Sequence, residues 1–209
     1  ENIPWESDFT ARQALKSPTF WTMLVALTLN AGTLTMVTIH QMPYLESIGV
    51  ETMAAAGVLG LMATMSLPGR PLLAWIANRR GEKNALMLSF ALKTVGLVFL
   101  MFARGLMELI LFVVLFGTGY GGAIPLAASI RATYFGRKAY ATISGYTTLF
   151  TSITNVVYPI FAGWTYDVSG NYTTAFVVIA ALQALAIVFM FVSKKPSTST
   201  ENSSITKKC

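Results

Sequence analysis

Apolar residues run along this chain in long blocks, each broken by a short polar stretch. Six blocks stand out, at about 19–43, 53–77, 85–103, 106–130, 140–163 and 173–193. Each is near or above the roughly 18 residues that mark a membrane-span candidate. At about 1.5 Å per residue, each helix would cross a hydrocarbon core of about 30 Å. Lipid offers no partner to a free backbone amide or carbonyl, so all six blocks are expected to be helices. The pattern predicts an all-α membrane protein with six transmembrane helices.

The polar stretches set the domain organisation. Residues 1–18 read as a cytoplasmic linker, 19–193 as a six-helix bundle, and the Ser/Thr/Lys-rich 194–209 as a disordered cytoplasmic tail. Asp8 is expected to cap a short helix that ends at Lys16. Ser17-Pro18 is expected to open the first span as N-cap and first turn. Two short segments match: "AWIANRRG" (74–81) and "GWTYDVSG" (163–170) share small-Trp-x-x-[Asn/Asp]-x-x-Gly. The first ends the second span and the second ends the fifth, at opposite membrane faces. An inverted repeat of two three-helix units predicts that placement.

Composition agrees. The chain of 209 residues is 54% hydrophobic and only 11% charged, where a soluble domain carries about 25%. A net charge of +6 raises the question of nucleic acid, but the placement of the charges answers it. Twelve of the fifteen Lys/Arg fall in segments on one side: Arg12, Lys16, Arg79, Arg80, Lys83, Arg131, Arg137, Lys138, Lys194, Lys195, Lys207 and Lys208. Arg104 alone lies in a loop on the other side, and Arg70 and Lys93 lie within spans. That asymmetry follows the positive-inside rule, so both termini are expected in the cytoplasm of a multi-pass protein of the cell (plasma or inner) membrane. No nucleic-acid partner is expected; the lipid bilayer is.

The chemistry available is sparse. One cysteine, Cys209, and one histidine, His40, leave no disulfide framework, no metal site and no catalytic triad. No enzyme and no cofactor are expected. Glu108, at the outer edge of the 106–130 block, is the one Asp or Glu inside a block, and none lies deep in a span. Arg70 sits between Pro68 and Pro71 in the second span, where prolines remove backbone donors and should bend the helix. A charge inside a span usually faces the protein interior or a water-filled cavity, and a guanidinium fits a carboxylate bidentately. Ser66 lies one turn before Arg70 on the same face. Lys93, mid-span in the third block, reads as a lysine snorkelling to the interface, with a lysine facing a neighbouring helix as the alternative. His40, near the outer end of the first span, is a candidate proton relay or path-lining group. The glycine-rich "FGTGYGGAIPLAAS" (116–129) permits close helix approach and carries Tyr120 as a candidate cavity residue.

Several stretches resemble a known family. "GRPLLAWIANRRGEKN" resembles the helix-eight and following-loop motif of the major facilitator superfamily. "GTGYGGAIPLAASIRATYFGRKAYATISG" and "PIFAGWTYDVSGNY" resemble helices ten and eleven of its monocarboxylate transporter and oxalate/formate antiporter branch. "SPTFW" and "HQMPYLESIG" resemble the bounds of helix seven there. The resemblance covers about residues 9–193. It implies the C-terminal half of a twelve-helix fold, and the lack of an initiating methionine carries the same expectation.

The resemblance also implies roles. Arg70 matches the arginine that binds the substrate carboxylate, and Tyr120 matches an aromatic position near the substrate path. The branch often carries an Asp one turn before that arginine, linked to proton coupling; here Ser66 stands there. The antiporters add a lysine in helix eleven. This chain has no Lys or Arg between Ala139 and Trp164, which leans toward a monoanion. The loop residues Asn78, Arg79, Arg80, Gly81 and Lys83 match the conformational-switch loop, although Asn78 replaces an Asp and Glu82 a basic residue.

The expected function is secondary active transport of a small organic anion, a monocarboxylate, by alternating access. A proton or counter-anion is the expected co-partner. The other half is supplied either by an N-terminal six-helix block or by a second copy. The alternatives are a half-size homodimeric carrier, a six-helix channel and a non-transporting membrane protein.

Overall fold

The computed structural model describes residues 9–196. It contains helices and no strands among the described residues. A short α1 spans Ala11–Lys16, α2 Pro18–Ser47, α3 Thr52–Arg80 and α4 Glu82–Met101. The chain continues as α5, Leu106–Gly136, then α6 over residues 137–169, and ends in α7, Thr173–Val192.

The short first helix forms, but Thr10 caps it. Its hydroxyl accepts from the Gln13 amide, and the Gln13 side chain returns a bond to the Thr10 amide. This reciprocal pair satisfies two free amides at once. Asp8, the expected cap, lies outside the described residues, as do residues 197–209 of the expected tail. Ser17 and Pro18 take the expected N-cap and first-turn positions of α2, without a side-chain capping bond from Ser17.

Five helices are long and apolar enough to cross a membrane: α2, α3, α4, α5 and α7. The expected fifth span, 140–163, lies within α6, which is as long but more polar. Its Thr147, Thr151 and Asn155 line an internal cavity, so polarity here serves the interior and lowers the apolar average. The expected loop "RATYFGRKAY" is helical instead, except at Gly136. There φ of 74° and ψ of 175° break the helix and start α6, a conformation glycine tolerates because it lacks a Cβ. The segments "AWIANRRG" and "GWTYDVSG" both end at a glycine of positive φ, but differently: Gly170 closes α6 in the left-handed helical region (φ 70°, ψ 8°), whereas Gly81 closes α3 with φ 87° and an extended ψ of 150°.

Two apolar clusters hold the bundle, one at each end. Phe9, Phe20, Met23, Leu86, Phe90, Ile130, Phe135 and Met190 pack at the basic end. Tyr44, Leu45, Leu100, Phe112, Tyr158, Tyr172 and Phe176 pack at the other. Buried polar groups lie between them. Ser89 donates to the Gly119 carbonyl at 2.6 Å, and Thr33 donates to Gln183 Oε1 at 2.9 Å.

Candidate functional site

The glycine run of α5 builds the site. Gly119 faces Ser89 and Lys93 of α4: a Cβ there would lie 2.7 Å from the Ser89 carbonyl oxygen and 2.9 Å from Lys93 Cγ. Gly121 lies against Ser66 of α3, and Gly69 of α3 against Thr118. Side chains at these points would hold the helices apart. Small residues let α5 seat between α3 and α4, as packing in lipid favours. Tyr120 projects from the middle of this seam.

Arg70 is exposed on α3. It lines a cavity of about 310 Å³ with Tyr120, Gly121, Ile124, Pro125 and Ala128. It also lines a smaller cavity of about 200 Å³ toward the basic end, with Asn78, Glu82, Pro125 and Ser129. The structure therefore brings Arg70 and Tyr120 together. Helix α3 runs on through Pro68 and Pro71 to Arg80.

Ser66 is placed differently. It is buried against Gly121, and its hydroxyl donates to the Ala63 carbonyl at 2.6 Å. It lines neither Arg70 cavity. His40 is also apart from them. Its Nε2 lies 3.0 Å from the Pro159 carbonyl oxygen, its ring centroid is 5.4 Å from that of Tyr172, and its Nδ1 is buried without a partner.

The expected loop shrinks to Gly81 alone, because α3 runs through Arg80 and α4 starts at Glu82. Asn78 lines the smaller Arg70 cavity, and Arg79 stacks over the Trp75 ring at 4.5 Å. Arg80 is exposed, and its carbonyl accepts from Asn84 at 2.7 Å. Gly81 provides the turn. Lys83 instead donates to the carbonyls of Phe191 and Ser193 at 2.7 and 2.6 Å, tying the start of α4 to the end of α7. A cation on the last carbonyls of a helix meets the negative end of its dipole. Glu82 accepts from Ser129 of α5, linking the same loop to a third helix.

The reading of Lys93 as a snorkelling lysine is overturned. Only 1% of it is exposed. It lies eleven residues into α4, or about 16 Å along the axis, too deep for its stem to reach an interface. Its ammonium donates to Asn30 Oδ1 at 2.8 Å and to the Asn30 carbonyl at 3.2 Å. Gln183 Nε2 donates to the same Asn30 Oδ1 at 3.0 Å. Lys93 also lines a cavity of about 260 Å³ between α2, α4, α5 and α6, shared with Tyr120 and Arg131. The sequence marks Lys93 as mid-span, and nothing in it pairs that lysine with Asn30.

A bundle of long apolar helices of this kind has counterparts among known proteins. The model of the Major Facilitator Superfamily matches residues 2–153 and 106–208. The chain belongs to the major facilitator superfamily. It is 24% identical over 177 residues to monocarboxylate transporter 12 of Xenopus laevis, covering 79% of this chain and 38% of that protein. It is 28% identical over 159 residues to monocarboxylate transporter 13 of Rattus norvegicus, covering 75% and 37%. The crystal structure of the superfamily transporter FucP in its outward conformation superposes with a TM-score of 0.74 at 18% identity, over 88% of this chain and 45% of that one. This superfamily member thus spans less than half the length of these relatives. The family and the apolar helices make it an integral, multi-pass membrane protein of the carrier class, similar to the monocarboxylate transporter branch.

Proposed function

We propose that this chain is the C-terminal six-helix half of a secondary active carrier for a small organic carboxylate, working by alternating access. Arg70 carries the reading. Its guanidinium stands exposed within an apolar helix, beside Tyr120, on a cavity of about 310 Å³. A charge is costly to keep in a membrane span, and such groups mark substrate pathways. A guanidinium matches a carboxylate with two parallel hydrogen bonds. The relatives named monocarboxylate transporters support the same ligand class.

The alternating-access part rests on the family and on charge placement. Carriers of this kind rock two halves about a site near the midplane, and their halves carry inverted three-helix repeats. The shared small-Trp-x-x-[Asn/Asp]-x-x-Gly pattern at the ends of α3 and α6 supports such a repeat here. The basic excess at one end supports cytoplasmic termini. Asn78, Arg79, Arg80 and Gly81 form the turn that would move against the other half, while Lys83 holds α7 to it.

The test is uptake of labelled butyrate, lactate and succinate into proteoliposomes by the full-length gene product, wild type against Arg70→Lys. The variant keeps the charge and loses the fork, so uptake should fall at least about tenfold, the loss of roughly one charge-assisted bond. Equal uptake by both proteins would remove Arg70 from the substrate path.

A further inference from the structure

The 260 Å³ cavity behind Tyr120 holds a second cationic position that the carrier reading does not use. Asn30 of α2, Lys93 of α4, Tyr120 and Arg131 of α5, and Thr147 and Asn155 of α6 all line it, and no carboxylate does. Lys93 is buried. An ammonium carries three donors; the two bonds to Asn30 engage neutral oxygens. Its Nζ also faces the Phe116 ring at 5.5 Å, a weak partner for a full charge. Arg131 adds a second cation, and its Nε is buried without a partner. Buried charges are normally paired. Here two cations share one cavity whose lining supplies no anion.

Packing sets this position level with Arg70. Gly69, the neighbour of Arg70, lies on Thr118, and Lys93 lies on Gly119. The two cationic side chains therefore belong to helices that meet α5 one residue apart, about 1.5 Å along its axis. Tyr120 and Ile124 line both the Arg70 cavity and the Lys93 cavity, so the two cavities adjoin at these side chains.

We propose that Lys93 forms a second carboxylate subsite, so that the carrier prefers a short dicarboxylate with one carboxylate on Arg70 and the other on Lys93. This rests on the carboxylate-carrier reading above and extends it. The lean toward a monoanion assumed that a second cation must come from α6; α4 supplies it instead. Tyr120, which lines both cavities, would face the carbon chain that joins the carboxylates.

The deciding experiment measures binding of butyrate and succinate to the purified full-length protein at fixed ionic strength. The two ligands share a carbon count and differ by one carboxylate. Wild type should bind succinate at least about tenfold more tightly. Lys93→Met should abolish that preference while butyrate affinity stays within about threefold, and Lys93→Arg should retain most of it. Equal affinity of wild type for both ligands, or an undiminished succinate preference in Lys93→Met, overturns the subsite and leaves the Arg70 reading standing. Binding of neither ligand overturns both. If Lys93→Met fails to fold, the wild-type ratio decides alone.

Discussion

Gly69 of α3 lies directly against Thr118 of α5, so close that a methyl at Gly69 would sit 2.8 Å from the Thr118 Cα. Gly121 makes the matching contact on Ser66 one turn away. These two backbone contacts fix how near Arg70 comes to Tyr120. Gly69→Ala and Gly121→Ala should each destabilise the protein by about 1–3 kcal/mol, the usual range for overpacking. Thermal unfolding in detergent reads this directly. Transport should drop more than stability, because the helices that carry Arg70 and Tyr120 are pushed apart. Gly57, with nothing near its would-be Cβ, is the control: Gly57→Ala should be near neutral.

Lys83 predicts a different failure. It bonds two carbonyls at the end of α7, 108 and 110 positions along the chain. Lys83→Met should loosen the last turn of α7 and cost about 1 kcal/mol, since hydrogen bonds to charged groups contribute roughly 1.5–3 and this one is partly exposed. Faster proteolysis just after Ser193, with no change in carboxylate affinity, is the expected signature. A loss of affinity instead would place Lys83 in the substrate path.

For Lys93 the expected stability change has the opposite sign. A buried charge without an anionic partner opposes folding, and replacing it by an apolar side chain of similar size is often neutral or stabilising by about 1–4 kcal/mol. Lys93→Met should therefore keep or raise the unfolding temperature of the ligand-free protein, with Asn30 still bonded to Gln183. A large drop would make Lys93 a structural strut.

His40 lies apart from both cationic positions. It touches Pro159 and Tyr172 and lines none of the cavities that hold Arg70 or Lys93. His40→Gln keeps a donor for the Pro159 carbonyl. The pH profile of uptake should be the same in this variant and in wild type; a profile shifted by a pH unit would return His40 to proton coupling.

Much of this was legible in the residues before folding was considered. Six long blocks, their helical state and the exposed arginine follow from local rules. Bilayer thickness sets the length of an apolar run, and lipid forces each backbone to bond within itself, so a span is decided almost residue by residue. The superfamily motifs are equally local. The Thr10 cap, however, depended on the Gln13 side chain turning back, and the helix through 131–140 depended on Gly136 alone breaking it. Neither is visible to a scan that expects polar residues to form a loop.

The tertiary structure decided what each polar group faces. Helical periodicity places Ser66 and Arg70 on one side of α3, yet Ser66 turns to the Ala63 carbonyl under Gly121 while Arg70 opens onto a cavity. Lys93 and Asn30 are 63 positions apart and meet only because α4 packs across α2. A sequence in lipid fixes its helices through short-range backbone bonding. Which charges share a cavity is fixed by which small residues let those helices close, and that choice exists only in the packed bundle.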